Sequence, residues 1–196
     1  IALIGGHASF AQLGGLTTNH GSLTIGGGGN FTSASLDNTG TIAVSAGTVN
    51  IAKSANFAKG VLTGGTWIVG DSGNDSKTIA KLTIGAGGIV PNDAPIELIG
   101  AGASFGQLGS LENNRRSLTI AGGARFTNAS LYNTGSLTVA AGGTVQLGSS
   151  KNLAGGTLTA GRWVVDNSGG TSLLRIGSGA IRTNNAQIEL IGAGAL

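Results

Sequence analysis

Two nested repeats limit what this chain can fold into. Residues 1–40 (IALIGGHASFAQLGGLTTNHGSLTIGGGGNFTSASLDNTG) lie without a gap on residues 96–135 (IELIGAGASFGQLGSLENNRRSLTIAGGARFTNASLYNTG), and 26 of the 40 positions are identical. A further start, IELIGAG, opens at Ile188, so the long units run over 1–95 and 96–187, with the beginning of a third at 188–196. Inside each unit runs a shorter beat of apolar–Thr–apolar triplets or close variants. Its centres are Leu3, Leu23, Ile42, Leu62, Leu82, Leu98, Leu118, Leu137, Leu158, Leu174 and Leu190, spaced 16 to 21 residues apart. Short strand-like pieces at such a spacing, filled out with glycine, mark a solenoid.

In Leu23-Thr24-Ile25, Leu118-Thr119-Ile120 and Leu137-Thr138-Val139 the apolar side chains point one way and the threonine the other, the alternation of a half-buried strand. Similar runs fall between the triplets, at Val49-Asn50-Ile51, Trp67-Ile68-Val69, Val145-Gln146-Leu147 and Trp163-Val164-Val165. No segment carries a helical period. The expected fold is all-β: one parallel β-helix over 1–196, about ten coils of 16–21 residues, with no significant helix. Its core column is expected to stack Leu23, Ile42, Leu62, Leu82, Leu118, Leu137, Leu158 and Leu174. At roughly 4.8 Å per coil the rod would be on the order of 50 Å long.

Asparagine keeps the same beat, at Asn19, Asn38, Asn56, Asn74, Asn92, Asn114, Asn133, Asn152, Asn167 and Asn184. It tolerates the left-handed conformation of turns, and stacked amides can bond along a rod. A structural ladder is expected for Asn19/Asn38 and Asn114/Asn133, which share one offset to the following triplet. The two long units differ by a glycine gained at Gly142-Gly143 and four residues lost around Asp71 to Lys81, both in turns.

Composition narrows the function. The 38 glycines follow no every-third-residue period, which excludes collagen. With 40% hydrophobic and 10% charged residues the chain does not read as disordered. It lacks the roughly 18-residue apolar run that membrane insertion needs. No cysteine is present, so there is neither a disulfide framework nor a thiolate metal site, which fits export. The absence of an initiator methionine marks a processed or excised piece. Net charge is +3 and scattered; Arg115–Arg116 reads as a solvated turn, not a nucleic-acid patch.

Candidate chemistry is sparse. Of the eight acids, Asp71 and Asp75 are close but lie in a polar loop, and Glu97 and Glu189 are expected five coils apart. A polysaccharide-cleaving β-helix needs two or three carboxylates in one groove. His7 and His20 have no partner at a telling spacing, and Gly26–Gly29 and Gly85–Gly88 lack the Lys-Ser/Thr of a phosphate loop. Trp67 and Trp163 are read as packing residues at a sheet edge in preference to a sugar platform. Thr24, Thr63, Thr83, Thr119, Thr138 and Thr159 are expected to form one outward file, interrupted by Ala43, Ile99 and Arg175, which disfavours ice binding. The sequence assigns no catalytic residue, cofactor or metal ligand.

The iterated units SLTIGGGGNFTSASLDNTGTIAV, VLTGGTWIV, SLTIAGGARFTNASLYNTGSLTV and TLTAGRWVV cover nearly the whole chain. They resemble the β-helical passenger regions of large bacterial secreted proteins: autotransporter and filamentous-haemagglutinin-like adhesins and glycine-rich β-strand-repeat surface proteins. The resemblance implies an extracellular or cell-surface structural role, as stalk, fibre, filament or biofilm matrix, with adhesion included. It supplies no catalytic residue. Partners expected on this reading are the chain itself or neighbouring repeats, stacked end to end, and surface glycans. The alternative is a carbohydrate-binding or carbohydrate-cleaving β-helix.

Overall fold

The computed structural model describes residues 1–70 and 79–193 and shows a pile of chain turns, each laid parallel on the one before. One wall is a long sheet. It takes Ala2–Ile4, Ser22–Gly26, Thr41–Ser45, Thr66–Gly70, Ile96–Ile99, Ser117–Ala121, Ser136–Ala140, Thr157–Asp166 and Thr183–Ile191 in chain order, each pairing parallel with the next. The second wall is Asn30–Ser33, Thr48–Ile51, Ala80–Ile84 and Ala103–Phe105, followed by a separate group, Arg125–Ser130, Thr144–Ser149 and Leu173–Ile176. The third is built from two- and three-residue strands, among them Thr18–Asn19, Asp37–Asn38, Pro91–Asp93, Asn113–Asn114 and Tyr132–Asn133. Two short 3₁₀ turns, Ala11–Gly15 and Leu108–Ser110, occupy matching places in the two long units.

Side-chain alternation fills the interior. Along the long sheet one inward file reads Leu3, Ile25, Val44, Val69, Leu98, Ile120, Val139, Val165 and Leu190. A second reads Leu23, Ile42, Trp67, Ile96, Leu118, Leu137, Trp163 and Ile188. Away from the two ends these residues are buried. Each large aliphatic withdrawn from water contributes roughly 1.5–3 kcal/mol, which offsets the entropy of ordering so much glycine.

Three expectations need correction. The parallel β-helix has eight turns, not ten, so at the usual strand spacing it is about 38 Å long. The eight aliphatics also fail to share one column. Leu23, Ile42, Leu118 and Leu137 do lie in the second inward file, but Leu82 pairs with Val49 and Phe105 and Leu174 with Val145 on the second wall. Leu62 and Leu158 sit on the return arms of two antiparallel hairpins, paired with Phe57 and Leu153. The cause is that alternation reports a strand with one face buried without reporting which wall it joins. The column is completed by Trp67 and Trp163 instead. These tryptophans, 0% and 2% exposed, are core residues and lie at no sheet edge.

The turns are unequal. From Leu3 through Ile25, Val44 and Val69 to Leu98 the steps are 22, 19, 25 and 29 residues; from Leu98 through Ile120, Val139 and Val165 to Leu190 they are 22, 19, 26 and 25. The long repeat is therefore a four-turn unit. Its third turn is long because it holds a hairpin, Phe57–Ala58 with Val61–Thr63, matched by Leu153–Ala154 with the start of Thr157–Asp166. The hairpins turn through Lys59-Gly60 (φ +53° and +77°) and Gly155-Gly156 (φ +57° and +82°), the left-handed pair a two-residue turn between antiparallel strands requires.

Candidate functional site

Inside the third wall the asparagine amides form two chains of hydrogen bonds. Asn19 Nδ2 donates to Asn38 Oδ1 at 2.8 Å, and the Asn38 backbone N–H donates to Asn56 Oδ1 at 2.5 Å. In the next unit Asn92 Nδ2 donates to Asn114 Oδ1 (3.0 Å), Asn114 Nδ2 to Asn133 Oδ1 (2.8 Å), and the Asn133 N–H to Asn152 Oδ1 (2.6 Å). Asn38, Asn92, Asn114, Asn133 and Asn152 are fully buried. A buried amide is costly unless each polar atom is paired; the spare hydrogens go to strand carbonyls, Asn114 Nδ2 to Ser136 and Asn133 Nδ2 to Arg162.

The hairpins end each chain of amides. Asn56 Nδ2 donates across its hairpin to the Thr63 carbonyl at 2.7 Å and back to the Asn38 carbonyl at 2.9 Å. Asn152 does the same with Thr159 and Asn133, at 2.6 and 2.9 Å. Ser54 and Ser150, two residues earlier, also reach these amides. Beyond the first hairpin Leu62 lies beside Asn92, so an apolar side chain interrupts the amides before they resume. Glycine is required where the chain crosses them: a Cβ on Gly65 (φ +61°) would stand 2.3 Å from Asn38 Nδ2, and one on Gly161 (φ +74°) 2.5 Å from the Asn133 carbonyl oxygen. Of the remaining asparagines, Asn74 lies outside the described residues, and Asn167 accepts from the Ser172 N–H in a surface turn.

Among the described residues the outer surface carries little convergent chemistry. The outward file of the long sheet reads Ala2, Thr24, Ala43, Ile68, Glu97, Thr119, Thr138, Val164 and Glu189. Only Thr24, Thr119 and Thr138 of the expected threonines belong to it. Thr83 faces out from the second wall and Thr63 and Thr159 sit on the hairpins. Glu97 and Glu189 share this file four turns apart, not five. Among the described residues, two ion pairs bridge adjacent turns, Arg115 to Asp93 at 3.5 Å and Arg162 to Glu189 at 2.6 Å. The Ser168 hydroxyl and backbone N–H hold the Asp166 carboxyl below the usual carboxylate range. His20 Nδ1 lies 2.7 Å from Thr39 Oγ1 on the neighbouring turn. Asp71 and Asp75 are outside the described residues. Among those described, no three His, Asp or Glu side chains gather as a metal would need.

One concavity lies beneath the last described strand, Thr183–Ile191. A cavity of about 510 Å³ is lined by Leu158, Trp163, Val165, Leu174, Ile188 and Leu190, among others. It is the interior of the solenoid seen from its end. Ile188 and Leu190 are 39% and 54% exposed there, whereas their counterparts Ile96 and Leu98, covered by the next turn, are buried.

This arrangement defines a parallel β-solenoid with an apolar core and an internal amide ladder. Comparison with protein-family models, curated proteins and solved structures returns no match to this chain. Described residues 1–70 and 79–193 include no helix long and apolar enough to cross a membrane.

Proposed function

We propose that this chain is a mechanical element of a bacterial surface or secreted protein: a stiff solenoid segment of a stalk, fibre or matrix, adhesive along its flanks and able to associate end to end. The observation that supports the reading is continuity between units. Val69 pairs with Leu98 at the junction of the two four-turn units by the same parallel ladder that pairs Ile25 with Val44 inside a unit. Units of this kind add length without a joint, because each new turn bonds only to its neighbour. The absence of cysteine suits passage through an oxidising compartment. The resemblance of the iterated SLTI units to secreted passenger regions points the same way.

Electron microscopy of chains carrying increasing numbers of the four-turn unit tests this. Straight rods of constant width should lengthen by roughly 19 Å per unit, four strand spacings. Compact or branched particles would contradict it, and so would turnover of any member of a panel of acidic and neutral polysaccharides, the outcome expected of a glycan-cleaving β-helix.

A further inference from the structure

The two ends of the stack are related by the repeat itself. Residues 183–192 (TNNAQIELIG) match residues 91–100 (PNDAPIELIG) at seven of ten positions. The local structure matches too: Asn184 Oδ1 accepts from the Ala186 N–H at 3.0 Å, as Asn92 Oδ1 accepts from the Ala94 N–H at 3.0 Å. In the interior, the 91–100 segment is covered by the turn that follows. Asn92 pairs with Asn114, Ile96 with Leu118 and Leu98 with Ile120. The covering turn, Asn114 to Ile120, has its own counterpart in Asn19 to Ile25. One half of this contact is thus displayed at Thr183–Ile191 and the other half at Thr18–Gly26.

We propose that Thr183–Ile191 of one copy seats on Thr18–Gly26 of a second copy, reproducing between chains the contact made inside the chain by residues 91–99 on residues 113–121. This rests on the end-to-end association proposed above and specifies its contact. The strand now on Ser22–Gly26 is Ala2–Ile4, which makes three register pairs and leaves Ile4 62% exposed. Residues 1 and 3–5 are identical to 188 and 190–192, so the incoming strand replaces an equivalent one. It brings more with it. Asn19 spends its Nδ2 on Asn38, Gly21 and Thr41, and among the described residues no donor reaches its Oδ1. Asn184 Nδ2 supplies that donor, as Asn92 does for Asn114. Leu23 and Ile25 then cover Ile188 and Leu190 and close the open core. The result is a heterologous contact that does not close on itself and so grows as a filament.

Sedimentation velocity of the full chain over a range of concentrations, with negative-stain microscopy, tests this. Wild type should form rods whose lengths are multiples of about 38 Å, eight strand spacings. Leu190→Asp and Asn184→Asp, at exposed positions that leave the single chain's circular dichroism unchanged, should raise the concentration for half-assembly at least tenfold. Leu190→Asp chains keep the acceptor turn, so mixing them with wild type should shorten the rods. Rods formed equally well by both variants would overturn this contact while leaving end-to-end association in place. A wild-type chain that stays single up to its solubility limit would overturn both.

Discussion

Asn114 donates through Nδ2 to Oδ1 of Asn133 at 2.8 Å, and the equivalent pair one unit earlier, Asn19 and Asn38, is bonded at the same distance. The bond fixes more than one turn of wall. Because Asn114 also donates to Ser136 and Asn133 to Arg162, the amides tie the third wall to the start of the long sheet. A slip of one residue in any strand would put the amide outside and a neighbouring polar residue inside.

Removing an amide from the middle of the ladder should therefore cost more than removing an asparagine that lies outside it. Asn133→Ala deprives Asn114 Nδ2 of an acceptor and the Arg162 carbonyl of a donor, both buried or nearly so. The expected loss is about 2 to 4 kcal/mol in urea unfolding. Asn184→Ala, at an exposed site, should change the stability of the single chain by less than about 0.5 kcal/mol.

How far the sequence reveals this fold is clearest at Leu62 and Trp67. Strand alternation identifies Val61–Thr63 and Thr66–Gly70 equally well as half-buried strands. It cannot say that the first returns along a hairpin while the second joins the long sheet. Assigning the triplet to the column gave the excess of coils. The signals that separate them are present but local: Ser54-x-Asn56 and Ser150-x-Asn152, each followed by a glycine-bearing two-residue turn. The asparagine pairs were legible because their offset to the next triplet is constant. The hairpin-borne Asn56 and Asn152 break that offset, and their place in the ladder depends on a cross-hairpin bond that spacing does not encode.

Glycines that admit the ladder should resist substitution. Gly161 takes φ +74° and has no room for a Cβ beside Asn133, so Gly161→Ala should destabilise by more than about 2 kcal/mol, from conformation and clash together. Gly179→Ala, where nothing lies within 4 Å and φ is ordinary, should be neutral within about 0.5 kcal/mol. Thermal unfolding of the pair separates the two effects.

Trp67 and Trp163 should behave as interior residues. Each stacks in the column and donates from Nε1 to a carbonyl three residues back, Gly64 at 3.0 Å and Ala160 at 3.1 Å. Trp67 also meets Phe105, with ring centroids 6.4 Å apart. Native fluorescence should be blue-shifted and shielded from iodide, then shift red and become quenchable on unfolding. Trp67→Ala should cost about 3 to 5 kcal/mol.

The surface ion pair should matter little by comparison. Arg162 and Glu189 are bidentate, at 3.0 and 2.6 Å, but their side chains are 40% and 32% exposed. Glu189→Gln should lower stability by less than about 1 kcal/mol at low salt, and less still at high salt. A larger, salt-independent loss would mean that this pair anchors the last strand.

The central claim is the register of eight unequal turns, and the chain's lack of cysteine makes it directly testable by paired substitution. Ala43 and Ile68 are neighbours across the long sheet although 25 residues apart, whereas a uniform winding of about twenty residues would set Ala43 beside Thr63. Parallel neighbours at about 4.8 Å fall within disulfide reach. Under mild oxidation the Ala43→Cys/Ile68→Cys chain should cross-link readily and the Ala43→Cys/Thr63→Cys chain should not. The opposite result would contradict the account.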